Sequence, residues 1–175
     1  TVVAQSILAD FAVFDVVLLH EGTCQSEIPA GTFTKDMVAK VLPHNDELVG
    51  IQLLGTDLLQ ALEHGINQSR RDARPRVAGL RFQVDLDKPD RQRISEAEMM
   101  TMGGRWKAVN LKTEYNVLTS RFLAEGGFAY DELTRTQLRI IGTGIGVTES
   151  YWFHALTTCK ILDPFRPPIQ GSTYM

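Results

Sequence analysis

The apolar residues of this chain change period repeatedly, and that switching constrains the fold more than any other feature. Val3, Ile7, Leu8 and Phe11 recur at helical spacing, and Leu58, Leu59, Leu62 and Ile66 do so again. Between them, Val49, Ile51 and Leu53 alternate, as do Leu80, Phe82, Val84 and Leu86 further on. A stripe with a period near 3.6 and a stripe with a period of two cannot serve the same element. Residues 14–19 form an apolar run broken only by Asp15, the pattern of a strand buried on both faces. The expectation is an α+β domain with a mixed sheet and flanking helices, not a strict βαβ repeat. Helices are expected near residues 2–12, 34–42, 56–66 and 148–158, with hairpin strands between 80 and 120. Thr34 and Thr56 are placed to cap two of the helices, and Pro43 stops one of them. Ile28-Pro29-Ala30-Gly31 reads as a turn. Residues 67–75, with Arg70, Arg71 and Arg74, read as a solvated loop, and residues 142–146 as a flexible connection. Residues 1–162 are expected to form one domain, followed by an extended proline-rich tail over 163–175.

Charge and length exclude several classes. Lys and Arg number 18 against 21 Asp and Glu, a formal charge of −3, without the basic excess of a nucleic-acid binder. The longest apolar run, Val16-Val17-Leu18-Leu19, falls far short of the roughly 20 residues that cross a bilayer. The N-terminus has neither a start methionine nor a signal-peptide pattern and reads as the interior of a longer protein, which leaves the compartment unknown. Cys24 and Cys159 give no zinc motif; one bridge between them is compatible with the sequence but not implied by it.

Catalytic chemistry finds little to stand on. His20, His44, His64 and His154 are scattered singly, so no metal site and no catalytic residue are assigned to this chain. There is no nucleophile elbow, and the nearness of Cys24 to His20 in sequence says little about geometry. Gly142-Thr143-Gly144-Ile145-Gly146 lacks the spacing of a dinucleotide-binding loop. What remains is a set of planar side chains at strand and helix ends: His44, Phe122, Phe128 and Tyr130. Two such rings on opposite loops can sandwich a nucleobase; the same rings can equally be core filler.

The order of several segments resembles a known family. Ile28-Pro29-Ala30-Gly31-Thr32-Phe33-Thr34, Val41-Leu42-Pro43 and Val49-Gly50-Ile51-Gln52-Leu53-Leu54-Gly55 come first. Leu62-Glu63-His64-Gly65-Ile66, Val77-Ala78-Gly79-Leu80-Arg81-Phe82 and Phe122-Leu123-Ala124-Glu125-Gly126-Gly127 follow. Together, over residues 4–160, they resemble the C-terminal domain of 5′-nucleotidases, a family that includes UDP-sugar hydrolases and 2′,3′-cyclic-nucleotide phosphodiesterases. The resemblance implies a fold like that C-terminal domain and a role in recognising a nucleotide or nucleoside. It also implies an N-terminal calcineurin-like phosphoesterase domain as partner, holding two divalent metal ions that perform hydrolysis and have no counterpart in this chain.

The resemblance assigns a substrate-binding set: Phe122, His44, His20, Gln25, Gly126, Gly127 and Phe128. Phe122 and the two glycines match the family pattern. Elsewhere the chain departs from it. Where the family has an Asn-x-Gly-x-x-Arg-like stretch, this chain has His20-Glu21-Gly22-Thr23-Cys24-Gln25, so Gln25 replaces a phosphate-binding Arg. His44 replaces a stacking Phe, and Phe128 replaces an Asp that binds ribose hydroxyls. The expectation is a base-like ligand between Phe122 and His44, beside the loop 21–25. The alternative is a relative that kept the fold, lost nucleotide binding and serves in interaction or regulation.

Overall fold

The structure is a computed structural model that describes residues 2–26, 34–135 and 141–157. Five strands make the main sheet: β1 (Val16–His20), β2 (Glu47–Leu54), β3 (Pro75–Ala78), β7 (Glu114–Ser120) and β8 (Ile141–Gly146). Their spatial order is β3-β1-β7-β2-β8. Only β1 and β7 run parallel; the other neighbours are antiparallel, so the sheet is mixed as expected. A second antiparallel sheet holds β4 (Leu80–Val84), β5 (Ile94–Met100) and β6 (Trp106–Ala108).

Both faces of the main sheet are covered, which explains the unbroken apolar run in β1. Val16 and Leu18 point with Val49, Ile51, Leu53 and Val117 toward α3 (Gly55–Ile66) and the second sheet, through Leu58, Leu62, Leu80 and Met99. Val17, Leu19 and Leu118 point the opposite way, onto α1 (Val2–Asp10), α2 (Lys35–Val41) and α5 (Val147–Thr157). A strand buried on both sides has no polar row to alternate with. The result is three layers around the mixed sheet.

Local sequence signals account for much of this. The Oγ1 of Thr34 accepts the Met37 amide at 3.2 Å, capping α2 as expected. The cap expected at Thr56 is not formed. Leu54 holds that position, and the Thr56 hydroxyl instead donates to the Leu111 carbonyl at 3.0 Å, tying α3 to the chain before β7. Two further expectations are corrected. The arginine-rich stretch 67–75 contains a 3-10 turn, Arg71–Ala73, with Ala73 fully buried, and leads directly into edge strand β3. Residues 142–146 lie in edge strand β8, not in a flexible connection. The turn at 28–31, Cys159 and the tail over 163–175 lie outside the described residues. Among those described, no helix is long and apolar enough to cross a membrane.

Candidate functional site

Parallel strands β1 and β7 end side by side, and each delivers a ring at its C-terminal end. His20 is the last residue of β1. Phe122 follows β7 in α4 (Arg121–Ala124), a single helical turn capped by Ser120, whose Oγ accepts the Leu123 amide at 3.3 Å. The stretch from Phe122 to Gly127 therefore begins within a capped helical turn. Asp46 fixes its entry: one carboxylate oxygen accepts the Phe122 amide at 2.9 Å. Arg121 adds a second tie, donating to Glu47 through Nε at 2.9 Å and Nη2 at 2.6 Å.

Gly126, with φ +88°, turns the chain back so that Phe128 reaches the same place. The Phe122 and Phe128 rings meet edge to face with centroids 5.0 Å apart, and His20 lies 5.7 Å and 5.1 Å from them. Such geometry follows the ring quadrupoles. Gly127 makes it sterically feasible, since a Cβ there would lie 2.5–2.6 Å from the Phe122 ring. Phe128 and Ala129 adopt left-handed φ values of 54° and 59°. Side chains cost energy there, and tertiary contacts must compensate. They come from the end of α3: Gln68 Nε2 donates to the Phe128 carbonyl at 3.1 Å, and His64 Nε2 lies 3.0 Å from the same oxygen.

The rim is polar. Gln25 Nε2 donates to His44 Nε2 at 3.2 Å, so those two predicted residues meet each other. No ring contact joins His44 to Phe122 among the described residues; the partners of Phe122 are Phe128 and His20. Arg70 lies over the Phe128 ring, 5.1 Å from its centroid, and pairs with Asp72 through bonds of 3.1 and 2.6 Å. Asp46, Arg70 and Gln68 are absent from the sequence-derived set. Asp46 follows His44 by two residues and Arg70 opens an arginine-rich run, but neither pattern specifies contact with Phe122 or Phe128.

His20 donates from Nδ1 to the Asp72 carbonyl at 3.0 Å, which leaves Nε2 as an acceptor in the neutral ring. Burial pushes its pKa below the ordinary imidazole value, against opposing effects of the Asp72 carbonyl and the Asp46 and Asp72 charges; nearby His44 adds to the lowering. A base with a depressed native pKa binds fewer protons folded than unfolded. Stability is then retained above the unfolded value near 6.5 and lost as pH falls from there through the native pKa. An NMR titration should place the His20 midpoint below that of an exposed histidine, and His20→Gln should reduce the loss of stability on acidification. A midpoint at or above the unfolded value contradicts this assignment.

Among the described residues, no group of three or more His, Cys, Asp or Glu is placed to hold a metal ion. The chain therefore presents a small aromatic cluster with a polar rim, at the strand ends of a mixed-sheet domain. The fold of that domain is shared with a solved 5′-nucleotidase and a solved NAD nucleotidase. The 5′-nucleotidase precursor from Thermus thermophilus superposes with a TM-score of 0.81 and 29% identity, over 87% of this chain and 31% of that one. The NAD nucleotidase of Haemophilus influenzae shares the fold at a TM-score of 0.77 and 18% identity, over 88% of this chain and 29% of its own. The family model for the 5′-nucleotidase C-terminal domain matches residues 1–135, and the chain belongs to that family. A probable 5′-nucleotidase of Treponema pallidum is 27% identical over 171 residues, covering 91% of this chain and 28% of its own length. The trifunctional nucleotide phosphoesterase YfkN of Bacillus subtilis is 27% identical over 121 residues, 68% of this chain and 8% of its own. The chain spans less than a third of the length of any of these.

Proposed function

We propose that this chain is the nucleoside- or nucleotide-recognition domain of a 5′-nucleotidase-like metallophosphohydrolase. Its partner is a calcineurin-like phosphoesterase domain, and the two divalent metal ions implied by the family supply the hydrolytic chemistry there. The described residues of this chain fit no such centre, and their task is to grip and orient the substrate. The observation that carries this reading is Phe122: a large aromatic left 41% exposed, with its amide bonded to Asp46 and its ring braced by Phe128 and His20. A ring fixed before ligand arrives loses little freedom on binding. The base lies on the open side of Phe122, with His44 and Gln25 opposite and the Gly126-Gly127 backbone beside it.

Phosphate adds little in this reading. Gln25 stands where the family has an arginine, and Arg70 is already paired with Asp72. Adenosine and its monophosphate should therefore bind about equally in a calorimetric titration. Phe122→Ala should weaken both about 5- to 150-fold, the worth of one base stack. A strong preference for the monophosphate, or undiminished binding by a folded Phe122→Ala variant, overturns the proposal. One observation favours the second reading, of a domain that kept the fold for interaction alone. Phe128, where the family has a ribose-binding acid, packs its ring on Phe122. Failure of both ligands to bind would select that reading.

A further inference from the structure

A concavity of about 340 Å³, apart from the aromatic cluster, lies between α3, the start of β5 and the 3-10 turn Asp131–Arg135. Glu63 and Glu132 both line it, with Leu59, Ile94 and Leu111 as apolar walls. The two glutamates are only 8% and 7% exposed. Glu63 accepts the Ile94 amide through Oε1 at 2.6 Å, but its Oε2, like Oε2 of Glu132, is buried with no hydrogen-bond partner among the described residues. Buried carboxylate oxygens are ordinarily paired, because losing water without gaining a partner is costly.

Two of the nearby cations are committed elsewhere. Arg93 pairs with Asp90 at 3.0 Å and also bonds Asn67. Arg135 is shared by Asp57 and Gln60. Arg91 lines the concavity but forms no ion pair with either glutamate among the described residues. A hard divalent ion is a poor match, since calcium takes about 6–8 oxygen ligands and part of this wall is hydrocarbon. A cation on an alkyl stem fits both features, its head against carboxylates and its stem on apolar side chains.

We propose that this pocket binds an organic cation, an alkyl-guanidinium or alkyl-ammonium group, with Glu63 and Glu132 receiving the charge and Leu59, Ile94 and Leu111 the stem. The group is either a free amine or guanidine or a basic side chain of a partner segment. The site is separate from the aromatic cluster and does not depend on the nucleoside reading.

The test titrates the 175-residue chain with butylguanidinium, butylammonium, calcium chloride and a short arginine-containing peptide, followed by NMR and thermal unfolding. Saturable binding of an alkyl cation is expected, weakened about tenfold or more by Glu63→Gln and by Glu132→Gln, as for loss of a charge-assisted bond. The same cation should raise the unfolding midpoint of the wild type but not of the variants. Without ligand, Glu132→Gln should unfold at the same temperature as the wild type or higher, because it removes an unpaired buried charge. Should Glu63→Gln fail to fold because a neutral amide oxygen holds the Ile94 amide less strongly, Glu132→Gln and the wild-type titration still decide. Tighter binding of the peptide than of butylguanidinium assigns the cation to a partner's side chain, and equal binding to a free cation. Absence of saturable binding by both alkyl cations, binding unchanged in Glu132→Gln, or calcium displacing butylguanidinium overturns the proposal.

Discussion

Leu118→Ala should lower the free energy of unfolding by about 3–5 kcal/mol, the upper part of the range for such truncations. Leu118 is fully buried on β7, the middle strand of the main sheet. Its backbone is flanked by Val17 of β1 and Gly50 of β2. Gly50 has no side chain because the Phe14 ring occupies that space; a Cβ there would come within 2.6 Å of it. The hole left by Leu118 is thus bounded by two hydrogen-bonded strands and by α1, α2 and α5 above. A site held on every side collapses poorly, so the cavity persists and its cost is added to the lost transfer energy. Urea denaturation should show a lower midpoint with an unchanged slope. A loss below about 1.5 kcal/mol would mean that the helices settle into the gap.

Gly65→Ala is the second large effect, with a sign opposite to the usual one. In a helix interior this change normally stabilises by up to about 1 kcal/mol. In α3 the new methyl would collide with the phenol oxygen of Tyr130 and lie 2.7 Å from Cδ of Pro75. Tyr130 cannot yield: it is fully buried, its hydroxyl donates to the Ala73 carbonyl at 2.8 Å, and its ring packs against His64 at 5.0 Å. Burial also pushes the phenol pKa well above its ordinary value, so the group stays a donor. The expected cost is about 2–4 kcal/mol, from overpacking plus a strained or lost buried hydrogen bond. In a double-mutant cycle, Tyr130→Phe should recover part of it, because the two sites share one contact. A stabilised Gly65→Ala variant would show that this contact does not constrain α3.

Both substitutions bear on the site through the elements they perturb. β7 leads into Phe122, and the end of α3 carries His64 and Gln68 to the Phe128 carbonyl. The aromatic cluster therefore takes its position from the sheet and helix behind it. A cavity at Leu118 or overpacking at Gly65 should loosen ligand binding as well as stability.

Elements that bury a periodic apolar face were legible in the sequence. α2 with its Thr34 cap, β2 and α3 fall close to where the apolar period and the turn residues put them. β3 and β8 were not. They are edge strands whose evidence is backbone pairing, with β1 and β2, and not side-chain period. β3 is four residues, Pro75–Ala78, too short to show a period, and it follows the arginine-rich stretch directly. β8 has glycine at 142, 144 and 146; at Gly142 and Gly146 a Cβ would meet Glu47 and Asn45. A strand with no side chains on one row leaves no period to detect.

Local pattern and residue identity suffice for the α+β class with its mixed sheet, the family resemblance and the candidate rings. Which rings meet depends on the assembled fold. Phe122 lies with Phe128 and His20 because parallel strands β1 and β7 end together and a left-handed turn at Gly126 reverses the chain. Asp46 and Arg70 join them from segments far apart in sequence. The two unpaired carboxylate oxygens of Glu63 and Glu132 are likewise invisible to any local pattern. Whether a glutamate is solvated or buried depends on what packs over it, and contacts across the fold set that.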